Sequence, residues 1–308
     1  MKKTVDVIIP VYKPDEKLGK ILNRLSRQSY PIGKIILMNT EEEYWKAEYT
    51  ENFSNVEVHH LTKAEFDHGA TRAAAATLSQ ADAMIFMTQD AVPYDVKVVE
   101  KLMDSLEGEG VKAVYARQLP TYDCSILERY TRSFNYPDHS REKSIKDLPE
   151  LGIKTYFCSN VCAAYDKQTY NDLGGFVRKT IFNEDMIYAA SVIQAGYKIA
   201  YCADACVIHS HNYNCRQQFH RNFDLGVSQA EHPEVFRDLP AAEGEGGRLV
   251  KKTARYVLSI HRPGLLVPLF FQSAFKYMGF LMGRHFKKLP RRMILHCTMN
   301  RDYWTIKA

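Results

Sequence analysis

The run TVDVIIPVY (4–12) is apolar at almost every position, with Val5, Val7 and Ile9 on one alternation and Ile8 on the other. A strand apolar on both sides is buried on both faces, as in the middle of a parallel sheet. Behind it Leu18, Ile21, Leu22 and Leu25 recur at helical spacing. KIILMNT (34–40) and VEVHHL (56–61) read as second and third strands. The alanine-rich GATRAAAATLSQ (69–80) is helical by propensity and leads into a strand, AMIFMTQD (83–90). A helix through Val96, Val99, Leu102, Met103 and Leu106 follows. This alternation predicts an α/β protein with a mostly parallel sheet flanked by helices on both faces.

After the strand VKAVYAR (111–117) the order loosens. Residues 121–152 are polar and aromatic, and read as a helix plus a mobile loop. KTYFCSNVCAAYDK (154–167) reads as a strand, NEDMIYAASVIQAGYK (183–198) as a helix ending at Gly196, and IAYCADACVIHSH (199–211) as a further strand. A helix through Phe219, Phe223 and Gly226 follows, and the polar AAEGEGG (241–247) is the best linker candidate. We therefore expect a domain over 1–240 and a helical tail over 241–308.

Charge sharpens that division. Residues 248–308 carry 13 Lys or Arg and one acid, Asp302, whereas 1–247 carry 28 basic and 35 acidic residues. The net charge of +5 is thus made in the tail, which points to an anionic partner such as a membrane surface or nucleic acid. Its aliphatic content argues against nucleic acid. LLVPLFFQSAFKYMGFLM (265–282) is interrupted by Pro268, Gln272, Ser273 and Lys276 and followed by GRHFKKLPRR. It falls short of a membrane span in length and purity, so we expect peripheral docking on an anionic surface. The alternative is an apolar face packed on the main domain or on a second subunit, which leaves a homodimer open. The seven cysteines are an odd count, and Asp6 and Pro10 cut short the apolar run behind the basic start. A cytoplasmic protein with reduced thiols is the expectation.

Four short stretches can carry chemistry. Asp90 ends a buried strand, where ligands of open α/β sheets sit, and one such carboxylate can hold a divalent cation together with a substrate phosphate. Glu184 and Asp185 open a helix; they are either favourable charges for its dipole or a general base. His209 and His211 lie two apart and face one side of a strand, as a metal ligand and a polar neighbour. Arg72 lies in the first turn of the alanine-rich helix within EFDHGATR, a place suited to a diphosphate. Cys158 with Cys162 and Cys202 with Cys206 do not suit zinc, because residues four apart on a strand stand about 13 Å from each other.

Together and in this order, VDVIIPVYKP, EFDHGATR, MTQDAVP, NEDM and VIHSHNYNCRQQFHRNFDLG resemble the inverting family-2 glycosyltransferases of the GT-A fold, bacterial rhamnosyltransferase type. The resemblance spans roughly 4–230 and continues thinly to RDYW (301–304). It implies a Rossmann-like GT-A sheet, with a nucleotide-sugar part over about 1–120 and an acceptor part over about 121–240. Asp90 then takes the place of the metal-binding aspartate in a QD version of the usual DxD, with His209 as a further ligand. His211 is a neighbour of the metal or of the acceptor. Asp185 takes the place of the catalytic base, beside Glu184. Pro10, Tyr12, Asn39, Asp67, Arg72, Gln89 and Asp90 would face the donor. Two positions depart from the pattern: Asn39 stands where many relatives have Asp, and Ala73 where they commonly have Asn.

The implied reaction is metal-dependent transfer, with Mn2+ or Mg2+, of L-rhamnose from dTDP-rhamnose to a surface polysaccharide or lipid-linked saccharide. It would take place at the inner face of the plasma membrane. A UDP-hexose donor, or a catalytically silent glycan- or membrane-binding member, is the alternative.

Overall fold

The computed structural model describes residues 2–237, 239 and 243–305. Its strands are β1 (Val5–Tyr12), β2 (Ile35–Thr40), β3 (Val56–Leu61), β4 (Ala83–Met87), β5 (Val92–Pro93), β6 (Val111–Leu119), β7 (Arg141–Lys143), β8 (Cys162–Asp166) and β9 (Lys198–Ile208). The helices of the first half are α1 (Glu16–Leu25), α2 (His68–Leu78), α3 (Val98–Leu106), α4 (Ile126–Asn135), α5 (Leu148–Leu151) and α6 (Lys167–Asp172). Those of the second half are α7 (Glu184–Gln194), α8 (Cys215–Glu231), α9 (Pro233–Phe236), α10 (Glu243–Ser259), α11 (Leu266–Arg284), α12 (Arg291–Cys297) and α13 (Asp302–Thr305).

One sheet runs β3-β2-β1-β4-β8-β6-β9-β5, with β7 also on β9. Its first half is the expected parallel block, β3-β2-β1-β4. The sheet as a whole is mixed, however, because β8 lies antiparallel between β4 and β6. The cause is the route of the chain. After β6 the chain passes down through β7, which runs antiparallel to the start of β9, and returns to the carboxyl end, where the Thr88 amide just past β4 bonds Val161 O at 3.2 Å. Entering β8 from that end, the chain runs back down between β4 and β6.

Alternating residues of β1 feed two cores, one on each face of the sheet. Val5, Val7 and Ile9 pack with Leu18, Ile21 and Leu22 of α1 and Leu102 of α3. Ile8 packs with Phe86, with Ala75 and Ala76 of α2, and with Tyr188 and Val192 of α7. Because every such side chain is almost wholly buried, truncating Ile21 to Ala would cost about 2–5 kcal/mol.

Three expectations change. KTYFCSN does not begin a strand: Gly152–Tyr156 is a 3-10 turn, and β8 starts only at Cys162. The loop expected within 121–152 contains β7, which pairs with β9. Of the linker expected at 241–247, residues 243–247 form the start of α10, while 241 and 242 lie outside the described residues.

The tail packs closely on the main domain. α11 lies along α8 with the two backbones in near contact: a Cβ on Gly283 would stand 2.0 Å from Phe223 O, one on Gly279 2.3 Å from Phe219 O, and one on Gly226 2.3 Å from Phe280 O. Glycine is required at all three. Phe223 and Val227 of α8 share a core with Phe286, Ile294 and Trp304, and Leu127 of α4 shares another with Val257 and Leu269. The buried Asp224 carboxylate closes the join, accepting from Thr298 Oγ1 at 2.6 Å and from the Met299 amide at 2.9 Å.

Candidate active site

β1 has β2 on one side and β4 on the other, so the strand order reverses there and a crevice opens at the carboxyl ends. A cleft of about 510 Å³ lies beyond these ends, walled by residues from α2, the loop after β4, β6, α4, α7, α8 and α11.

One corner gathers Asp90, His209 and His211. His209 Nε2 lies 3.5 Å and His211 Nε2 3.4 Å from Asp90 Oδ2, and the ligating atoms of the three lie within 4.8 Å of one another. Both histidines stand just past the end of β9, where the extended chain keeps them on one side with ring centroids 4.6 Å apart. Gln118 sets the tautomer of His209. Its Oε1 can only accept, so the contact of 3.0 Å to Nδ1 places the proton there and turns the Nε2 lone pair toward Asp90. Gln118 is itself fixed, its amide donating to Tyr136 Oη at 2.6 Å and Ser159 Oγ at 3.0 Å. Burial alone would raise the Asp90 carboxyl. With His209 protonated on both nitrogens and no cation bound, its hydrogen bond and charge, with Thr88 and His211, overcome this and hold the carboxyl well below the usual range. Burial and the neighbouring His209 push His211 down to about 4, keeping it neutral and able to ligate. A carboxylate and two imidazole lone pairs converging on one point fit a divalent cation.

The start of α7 supplies the second group. Asn183 adopts the left-handed conformation (φ 66°), which Asn tolerates better than most residues, and its amide donates to Ser228 Oγ at 3.1 Å. The helix therefore begins by presenting Glu184 and Asp185 to the cleft. The two acids then diverge. Glu184 Oε1 is paired with Arg72 at 3.2 Å and accepts from Asn160 Nδ2 at 3.1 Å. Burial opposes its charge, but Arg72 and His68 outweigh burial and lower its pKa. Asp185 accepts only backbone amides, from Asn160 at 3.0 Å and Met186 at 2.8 Å. Burial first, and then the negative Glu184, push its pKa up to about 7. A carboxylate of that strength, open to a cleft, suits general-base work near neutral pH.

The other expected donor residues are placed differently. Gln89 clamps β1 to the loop after β4: its amide accepts from Tyr12 N at 2.7 Å and donates to Tyr12 O at 2.8 Å. Asp67 caps α2, taking the Gly69 and Ala70 amides at 2.8 and 2.9 Å, and its other oxygen takes Thr180 N at 3.3 Å. Asn39 is fully buried, donates to Glu41 O at 3.2 Å and touches His60 Nδ1 at 3.0 Å; it does not line the cleft. Pro10 and Tyr12 lie at the end of β1, also outside the cleft lining. Tyr12 stands half-exposed and edge-on to Tyr44, with the Lys13 ammonium over both rings. Arg72 lines the cleft, but its charge is committed to Glu184.

Gln118, Asn160, Arg221 and Lys276 also line the cleft, a role the sequence reading gave to none of them. Only Arg221 lies within a quoted segment, and there it has no assigned role. The signal available was position: Asn160 lies two residues before β8, and Arg221 one helical turn from Gln218 in the quoted HSH segment.

Residues 6–174 match the family described as glycosyl transferase family 2. The chain is 37% identical over 302 residues to the O-antigen chain rhamnosyltransferase RfbN of Salmonella typhimurium, covering 97% of this chain and 96% of that one. It is 41% identical over 245 residues to the O-antigen chain rhamnosyltransferase WbaN of Salmonella anatum, covering 79% and 78%. Among solved structures it resembles the mannosyltransferase PcManGT from Pyrobaculum calidifontis in complex with GDP-Man and Mn2+. The TM-score is 0.64 at 13% identity, over 94% of this chain and 89% of that one. S. aureus TarS 1-349 follows, with a TM-score of 0.54 at 13% identity over 92% and 91%. At such identity the structural likeness carries the fold alone, the GT-A type. By sequence, over most of its length, the chain belongs to glycosyltransferase family 2.

Proposed function

We propose that this enzyme transfers L-rhamnose from dTDP-β-L-rhamnose, with inversion, to a hydroxyl of a growing lipid-linked surface polysaccharide. The observation that carries this is the opening of two differently tuned carboxylates onto one cleft: Asp90 with its two imidazoles, and Asp185 with its raised pKa. The names of the two curated relatives support rhamnose and an O-antigen chain.

Asp90, His209 and His211 would hold the divalent cation. Bound there, it acts as a Lewis acid on the departing nucleoside diphosphate. Two imidazoles are poor ligands for the oxygen-seeking Mg2+, so Mn2+ is the first ion to test. The Asn160 and Met186 amides orient Asp185, whose carboxylate takes the acceptor hydroxyl proton. The freed oxygen forms its bond to the anomeric carbon as the bond to diphosphate breaks on the opposite face. Glu184 keeps Arg72 and Asn160 in place.

The tail fits an enzyme working at the inner membrane face. Pro263–Arg284 is long and apolar enough to cross a membrane by length and composition, more so than its interruptions suggested. Its glycine contacts with α8 weigh against a span, since α8 carries Arg216, Gln217, Arg221 and Asp224 and cannot follow it into lipid. The opposite side of α11 exposes Val267 (61%), Phe270 (67%) and Tyr277 (64%), flanked by the basic run from Arg284 to Arg292. Such a face suits an anionic leaflet.

The test is transfer of labelled rhamnose from dTDP-rhamnose to a lipid-linked acceptor, with UDP- and GDP-sugars as competitors and with EDTA as a control. Turnover of another sugar nucleotide alone would overturn the donor. Unchanged activity in EDTA would overturn the metal site. Failure of the protein to sediment with anionic liposomes at low salt would overturn the docking face.

A further inference from the structure

Three cations stand together on one wall of the cleft: Arg132, Arg221 and Lys276. Arg132 is neutralised, with Nε on Glu128 Oε1 at 2.7 Å and Nη1 on Gln118 Oε1. The other two are not. Arg221 lies over the Phe182 ring at 4.6 Å and over Tyr213 at 5.9 Å. Tyr213 in turn stacks on His211 with centroids 4.9 Å apart, so Arg221 sits one ring beyond the Asp90 corner. Neither Arg221 nor Lys276 has a hydrogen bond or an ion pair among the described residues.

Lys276 comes from α11, on the helix face opposite Val267, Phe270 and Tyr277. It is largely withdrawn from water, and burial lowers its pKa; Glu128 opposes this, while Arg132 and Arg221 add to it. Withdrawing cations from water is unfavourable unless an anion joins them. The wall holds one carboxylate, Glu128, for three cations, and Arg72 on the far side is already paired with Glu184. The missing partner is therefore an anion that enters with substrate.

We propose that Arg221 and Lys276 form a diphosphate subsite, so that α8 and the C-terminal α11 complete an active site otherwise built by the sheet. The inference rests on the nucleotide-sugar function above. Two substrates of that reaction carry a diphosphate, the donor and the lipid-linked acceptor. The ring stack from Arg221 to the Asp90 corner assigns the subsite to the donor. A guanidinium and an ammonium there would hold the leaving group as charge gathers on it.

The test is calorimetric titration of the full-length protein with dTDP and with inorganic pyrophosphate, each with Mn2+. Wild type is compared with Lys276→Met, Arg221→Met and Lys276→Arg. Each Met variant should bind both ligands about tenfold more weakly or worse, as loss of a charged hydrogen bond does. Lys276→Arg should restore most of the affinity, and the Tm of Lys276→Met should not fall. If wild type binds dTDP and the Met variants bind both ligands equally well, the subsite is refuted while the enzyme's function stands. If they bind dTDP normally and raise only KM for the acceptor, the donor assignment is overturned and the anion belongs to the acceptor. If wild type binds no nucleoside diphosphate at all, the functional assignment fails, and pyrophosphate still reads the subsite. Should Arg221→Met not fold for want of its ring stacking, Lys276→Met decides alone.

Discussion

The start of α2 and the end of β4 each place an aspartate beside the cleft, and the chain treats the two in opposite ways. Asp67 receives three backbone amides, from Gly69, Ala70 and Thr180. Asp90 faces two imidazole nitrogens, 3.5 and 3.4 Å away, and binds none of these amides. A carboxylate whose acceptor sites are filled by its own chain is part of the scaffold. One left facing lone pairs at the end of a strand has room only for a cation. The same contrast separates Glu184, held by Arg72 and Asn160, from Asp185, whose pKa burial pushes up to about 7.

The contrast is best broken by removing each group in turn. Asp185→Asn keeps the shape and, through its one oxygen, one of the two amide contacts, but it cannot take a proton, so transfer should fall about 10²–10⁴-fold with donor binding intact. Single-turnover kinetics and donor titration separate the two; near-normal transfer by a folded Asp185→Asn would show that the base lies elsewhere. Asp90→Ala should weaken Mn2+-dependent donor binding by at least about tenfold, because the charge that anchors a Lewis acid is gone. Its Tm should fall only modestly, since the contacts that hold the carboxylate below its usual range are lost with it. Donor affinity equal to wild type, with and without EDTA, would place the cation elsewhere.

A pH profile sharpens the pair at α7. A raised pKa leaves Asp185 protonated, and so unable to act as base, below about 7. Hence kcat should drop by up to about tenfold per pH unit as pH falls through that value, and flatten above it. A profile flat to pH 5 would mean that the base is a stronger acid than burial beside Glu184 allows. The smallest effect belongs to Asp67→Ala, which removes a helix cap and should cost about 1 kcal/mol of stability. Chemical denaturation measures it, and the folded fraction should bind Mn2+ and donor as wild type does. Loss of donor binding without loss of stability would restore Asp67 to the site.

Much of this site was visible before the fold, for a physical reason. Buried parallel strands are unbroken apolar runs, so the ends of β1 and β4, and with them Asp90, stood out. Asp185 and His209 sat at the start of a helix and the end of a strand, positions that local pattern reveals. Asp67 was legible as a motif but not as a cap, because only the amides of Gly69, Ala70 and Thr180 decide its role. The turn at 152–156 was illegible for a related reason. The buried Lys143 ammonium takes the carbonyls of Lys154 and Phe157, which a strand would have given to its neighbours, and Lys143 lies 11 and 14 residues away. Arg221 and Lys276 are ordinary residues on polar and apolar helices, made meaningful only by the packing of α8 on α11.

That packing has a consequence for how the enzyme can change. The spacing of α8 and α11 is set by backbone touching backbone at Gly226, Gly279 and Gly283, with no side chain between them to be lengthened or trimmed. Lys276 lies three and seven residues from two of these contacts, on the same helix. Most dimensions of a binding site drift by small steps, as Val becomes Ile or Leu becomes Met. Here the first step available, Gly to Ala, already asks for about an ångström of separation, so the position of that wall is kept or lost and is hard to tune. Variation in substrate preference should therefore accumulate on the sheet side of the cleft, leaving the helical wall as the fixed gauge against which it is read.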